Sequence, residues 1–223
     1  LITAIFGVIY AAIQSDMKRL LAYSSIENIG VIFVGLGLAL TFKSFMLPHL
    51  SALAMTAMLY HCLNHACFKS LLFLSTGSVL HATGERNLGK LGGLIHRMPW
   101  VAWLALVGVL ASAGLPPLNG FISEWLLLQS FLFTSSLPHG YLNMLLPAFA
   151  AAVALVAALA GFAMVKFFGV VFLGQPREER LTQAHDANHL ERAGLLWLAA
   201  GCVLLGLLPN LVIALLDPIT RML

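Results

Sequence analysis

The sequence predicts an all-α, polytopic membrane helix bundle of about six transmembrane helices, one of them interrupted at Pro116-Pro117. Three observations carry that reading. The 223 residues are 60% hydrophobic and only 9% charged, with a mean hydropathy of +0.93; soluble domains hold about 25% charged residues. The apolar residues gather in runs long enough to cross a hydrocarbon core of about 30 Å. The few Lys and Arg residues collect in alternate connections between those runs.

In chain order, residues 1–14 form the first span. Leu1 opens inside an apolar run, with no basic region before it and no cleavage pattern, as expected of the end of a transmembrane helix rather than a signal peptide. Ser15-Asp16-Met17-Lys18-Arg19 is a charged turn. The second span covers about 21–41 and holds Glu27. Residues 43–48 connect it to a third span, about 49–80, too long for one straight crossing at about 1.5 Å per residue. It must tilt, bend or extend past the bilayer. The polar stretch 81–99 follows. The fourth span starts near Trp100, is interrupted by Gly114-Leu115-Pro116-Pro117-Leu118-Asn119-Gly120, and resumes to about Phe133. After Pro138, His139 and Gly140, a fifth span runs from about 143 to 173 with Lys166 inside it. Residues 175–192 make the longest hydrophilic loop, and the sixth span covers about 193–216.

Alternate connections then fall on two sides. One side holds Lys18, Arg19, Arg86, Lys90, Arg97, Arg177, Arg180 and Arg192; the other holds Lys43 and Arg221. Basic residues favour cytoplasmic loops, so the first side is expected to be cytoplasmic and the C-terminus to face outward.

The densest chemistry lies in the third span. His61, His65 and Lys69 are four residues apart, so on a helix each turns only about 40° from the last and rises about 6 Å. Three titratable groups on one face stand where a single charge costs roughly 2.5–3.5 kcal/mol. A file of imidazoles and an amine suits proton passage, while a lone buried His more often bonds a neighbouring helix. In the fourth span, Pro116 and Pro117 remove two backbone donors, and freed backbone groups at membrane depth must be buried in protein or face a wet cavity. Glu124 follows one turn into the second half-helix, whose dipole favours its charge while burial opposes it; the bland alternative is a structural cap. Lys166 either snorkels to the cytoplasmic edge or serves as a further relay. Glu27 either relays protons or holds helices by hydrogen bonds.

Other chemistry is excluded. No phosphate loop, nucleotide-binding glycine pattern or metal-spaced Cys and His set is present, so no cofactor and no metal is expected. The three cysteines sit apart in apolar runs, which argues against a disulfide framework. The basic loop is too sparse for nucleic acid.

Asp16-Met17-Lys18-Arg19-Leu20-Leu21-Ala22-Tyr23-Ser24-Ser25 resembles the turn-and-helix motif of the antiporter-like subunits of respiratory complex I and of Mrp-type cation/proton antiporters. His61-x-x-x-His65-x-x-Phe68-Lys69-x-Leu71-Leu72-Phe73 resembles that family's lysine-bearing central helix, and Gly114-Leu115-Pro116-Pro117-Leu118-Asn119-Gly120-Phe121-x-Ser123-Glu124 its broken helix. Ser25-Ile26-Glu27-Asn28-Ile29-Gly30, Ser123-Glu124-Trp125 and Phe172-Leu173-Gly174-x-Pro176-Arg177 look most like the large membrane subunits of the hydrogenase-4 and formate hydrogenlyase types.

The resemblance implies that residues 1–223 are the C-terminal part of a proton-translocating membrane domain. Lys69 then matches the central lysine, His61 and His65 the connecting histidines, and Glu124 the broken-helix carboxylate. It also implies a non-catalytic subunit of an oxidoreductase complex in a bacterial or archaeal inner membrane. Its partners would be the bilayer, other membrane subunits, and protons or Na⁺. An Mrp-like Na⁺/H⁺ antiporter subunit and a purely structural membrane-arm fragment are the rival expectations.

Overall fold

The computed structural model describes residues 1–132, 137 and 139–220. Among the described residues there are eight α-helices: α1 (Ile2–Ile13), α2 (Met17–Ser44), α3 (Pro48–Thr83), α4 (Pro99–Ser112), α5 (Asn119–Leu132), α6 (Gly140–Phe172), α7 (His189–Leu207) and α8 (Pro209–Thr220). Among the described residues there is no strand beyond one isolated bridge between Asp16 and Asn87. By length and composition, α2, α6 and α7 are apolar enough to cross a membrane. At 36 residues, α3 is longer still, about 54 Å of unbroken helix; its polar side chains lower its hydropathy below that of the other three.

The fourth span is interrupted where the sequence requires it. α4 stops at Ser112 and α5 begins at Asn119, because Pro116 and Pro117 cannot donate to the carbonyls a continuing helix would offer them. The sixth span, expected as one helix, is two. Leu208 precedes Pro209, and a residue before proline is pushed out of helical geometry; Leu208 adopts φ −119 and ψ 49, and α8 starts afresh. α6 tolerates Pro147 inside it. Phe133, Pro138 and Arg221 lie outside the described residues.

α1 and α2 cross with their backbones in contact. A Cβ on Gly7 would stand 2.4 Å from the Glu27 nitrogen, and one on Gly30 2.4 Å from the Ala4 nitrogen. Only a hydrogen side chain at both positions allows this approach, and it fixes Glu27 against α1.

The three basic connections meet one another, as a shared membrane side demands. Met17 donates its amide to the Arg86 carbonyl and Leu88 to that of Ser15, while Gly93 reaches the Leu173 carbonyl. Arg86 pairs with Asp16 at 2.9 Å, Arg177 donates to the Leu88 carbonyl, and Arg180 bridges Glu85 and Glu178. Asp186 accepts from the Trp100 amide at 2.9 Å, satisfying the exposed donors at the start of α4. On the opposite side, the Phe45 and His139 rings lie 5.5 Å apart.

Glu85 is the hub of the basic side. The Asn87 amide, then the Arg86 amide and the Arg180 guanidinium, hold its carboxyl below the usual range. The unfolded chain therefore binds a proton more readily than the native one, so this contribution is present above the ordinary carboxylate pKa of about 4.3 and is lost as pH falls below it. Hydrogen-exchange protection factors at residues 85–90 are expected to fall on acidification through that window. Glu85→Gln should show low protection at neutral pH as well; high protection at neutral pH in that variant would contradict the assignment.

Candidate functional site

A buried polar seam runs between α2, α3 and α5. On α2, Ser24, Glu27 and Asn28 share one face, being three and four residues apart, and all are buried. From α3, the Lys69 ammonium donates to Ser24 Oγ at 2.6 Å. The Ser24 hydroxyl donates in turn to Glu27 Oε2 at 3.2 Å, and Asn28 Nδ2 reaches the same oxygen at 2.7 Å. A single hydroxyl thus stands between a buried amine and a buried carboxylate. One turn and more away, His61 bonds Asn28 Oδ1 through Nε2 at 3.1 Å and Ser123 Oγ of α5 through Nδ1 at 2.9 Å. Asn64 donates to the same Ser123 hydroxyl at 3.0 Å and to the Asn119 carbonyl, at the start of α5, at 2.7 Å.

The three α3 residues read from the sequence do share a face, but they do not bond along it. Among the described residues, no hydrogen bond joins His61 to His65 or His65 to Lys69. The Phe68 ring stands among them: its centroid is 6.3 Å from the His61 ring, 5.6 Å from the His65 ring and 6.0 Å from Lys69 Nζ. A phenyl ring carries no proton. The connections run sideways through α2 and α5, and His65 Nε2 is a buried nitrogen without a hydrogen-bond partner among the described residues.

Glu124 lies in the helix break. Its carboxylate sits against Gly114, where a Cβ would stand 2.5 Å from Oε2, and it is half-buried. It accepts no hydrogen bond among the described residues, and it is within electrostatic range of Glu27. α7 braces the break from outside: a Cβ on Gly206 would stand 2.2 Å from the Pro117 carbonyl oxygen, and the Tyr60 hydroxyl donates to the Leu205 carbonyl.

Lys166 is placed elsewhere. Its ammonium donates to the carbonyls of Ala12 and Gln14, each at 2.8 Å, at the end of α1. A cation there suits the negative pole of that helix. Ser24, Asn28, Asn119 and Ser123 fall inside the motifs quoted above without a site role of their own, and Asn64 falls at an unassigned position between the two histidines. The signal available was their spacing: Ser24 and Asn28 flank Glu27 on one helical face of an otherwise apolar span.

A bundle of membrane helices packed around a broken helix, with a buried amine, carboxylate and imidazole in a polar seam beside it, is the architecture of an antiporter-like membrane protein. The chain belongs to the NADH:quinone oxidoreductase/Mrp antiporter transmembrane family, which residues 1–146 match. It is 44% identical over 206 residues to formate hydrogenlyase subunit 3 of Escherichia coli, covering 92% of this chain and 34% of that protein. Against hydrogenase-4 component B of the same organism it is 39% identical over 206 residues, covering 92% of this chain and 31% of that protein. Among solved structures it is similar to a chain of the membrane-bound sulfane sulfur reductase, an archaeal respiratory membrane complex, with a TM-score of 0.80 and 32% identity over 96% of this chain and 32% of the other. The chain therefore spans about a third of the length of these relatives.

Proposed function

We propose that this chain carries the proton path of a membrane subunit in a hydrogenase-4, formate hydrogenlyase-like or complex I-like redox assembly. The observation that carries the reading is the Lys69–Ser24–Glu27 sequence of contacts. A proton leaving the Lys69 ammonium meets a hydroxyl already bonded to a carboxylate, and the reverse step uses the same atoms. Charged groups this deep are costly and mark ion or proton routes. His61 and His65 border the route on α3. Glu124, unbonded in the break, is the outlet. A redox reaction on another subunit would bias the field at one end, changing the charge on Lys69 and driving release at Glu124. Lys166 holds the end of α1 in place beside this path.

The subunit would sit in a bacterial or archaeal inner membrane with its basic connections in the cytoplasm and its C-terminus outside, beside other membrane subunits. The test is Glu124→Gln in the full-length protein within its assembled complex, reconstituted in vesicles. Electron transfer should persist while proton release to the far side collapses. Undiminished pumping would remove Glu124 from the path. A proton flux that instead rises and falls with external sodium would favour an Mrp-type antiporter.

A further inference from the structure

Asn28 stands between Glu27 and His61, and its bonds leave neutral His61 a single tautomer. The Asn28 amide nitrogen has two hydrogens. It donates to the Ser24 carbonyl at 2.8 Å and to Glu27 Oε2 at 2.7 Å. Turning the amide over would set its oxygen against the Ser24 carbonyl, two acceptors with no hydrogen between them. Its oxygen therefore faces His61 Nε2. An amide oxygen only accepts, so Nε2 carries the hydrogen, and neutral His61 keeps its lone pair on Nδ1.

On that second side stands the Ser123 hydroxyl. Its oxygen accepts from Asn64 Nδ2, and its one hydrogen has two acceptors in reach: His61 Nδ1 at 2.9 Å and the Gly120 carbonyl at 3.1 Å. With His61 neutral, the hydrogen belongs to Nδ1. With His61 doubly protonated, Nδ1 becomes the donor and the hydroxyl must turn to Gly120.

We infer that Asn28 is a positioning residue that closes the Nε2 side of His61, so that His61 gains and loses its proton only at Nδ1, through Ser123. This rests on the proton-path reading above. In the step, a hydronium in the path gives a proton to Ser123 Oγ and is left as water. The hydroxyl's own proton passes to Nδ1, and the proton newly held on Oγ bonds the Gly120 carbonyl. One positive charge moves from the path to His61, and no other bond changes. An imidazole that relays must take a proton on one nitrogen and release it from the other. His61 cannot do so here. It is a side branch that registers a proton in the path and passes the change to the start of α5.

The experiment is solid-state NMR on ¹⁵N-histidine-labelled full-length protein in its assembled complex, with His61→Gln to assign the signal. The neutral wild type should show the Nε2–H tautomer, and Asn28→Leu should release the other. In the same samples, Ser123→Ala should slow proton exchange at His61 Nδ1 by ~100-fold, and Ser123→Thr, which keeps the hydroxyl, should restore it. An Nδ1–H tautomer in the wild type, or unchanged proton exchange at His61 in Ser123→Ala, overturns the inference. If Ser123→Ala does not assemble, the wild-type tautomer alone decides. Should pumping instead prove insensitive to Glu124→Gln and Lys69→Ala, the transport reading fails while the tautomer assignment stands.

Discussion

Lys69→Ala should abolish proton translocation in the assembled, full-length complex while electron transfer continues. Lys69 is buried, and its ammonium donates to Ser24 on α2. Removing it takes away the amine end of the Lys69–Ser24–Glu27 contact and leaves Glu27 with Ser24 and Asn28 as its partners. A proton must then cross this level as an unsupported charge. That costs about 3 kcal/mol on insertion scales, or roughly 100-fold in rate. Vesicle pumping measured against substrate turnover gives the ratio directly. Because the truncation also leaves space and a carboxylate without its nearby cation, Lys69→Met serves as a second variant: it fills the volume and should pump no better. Full pumping in either variant, in a coupled complex, would take Lys69 out of the mechanism.

Gly120→Ala should be the most destabilising of the glycine-to-alanine substitutions. A Cβ there would stand 1.9 Å from the Ala111 carbonyl oxygen, well inside contact distance. The obstacle is backbone in the last turn of α4, not a side chain that can swing away. The two half-helices would have to part, and overpacking of this kind costs about 3 kcal/mol or more. Thermal unfolding of the purified full-length protein should show a large drop, with loss of assembly at growth temperature. Gly161→Ala is the matched control, since nothing lies within 4 Å of a Cβ there. Equal melting of the two variants would mean that the crossing at the break is not tight.

Much of this architecture follows from local pattern. The Pro116-Pro117 pair dictates the break between α4 and α5, and the four-residue spacing of His61, His65 and Lys69 dictates a common face, because both effects act within one segment. Which groups that face meets is a tertiary matter. Nothing in α3 says that Lys69 will find Ser24, 45 residues earlier, or that His61 will find Ser123, 62 residues later. Phe68 reads as an ordinary apolar residue, yet its ring packs edge-on against both histidine rings. Lys166 shows the same limit: its partners, Ala12 and Gln14, lie more than 150 residues away. The second break, at Leu208-Pro209, was legible in principle from the proline rule, but the apolar run continues across it and masks the interruption.

The brace formed by Leu205 and Gly206 has a consequence for the family signature. Residues 1–146 carry the matched region, yet the outer face of the Pro117–Asn119 segment rests on α7, beyond that boundary. A protein cut at residue 146 would keep the diagnostic stretches and lose the buttress that keeps the broken helix in shape. The matched region thus leans for its shape on a helix that lies outside it.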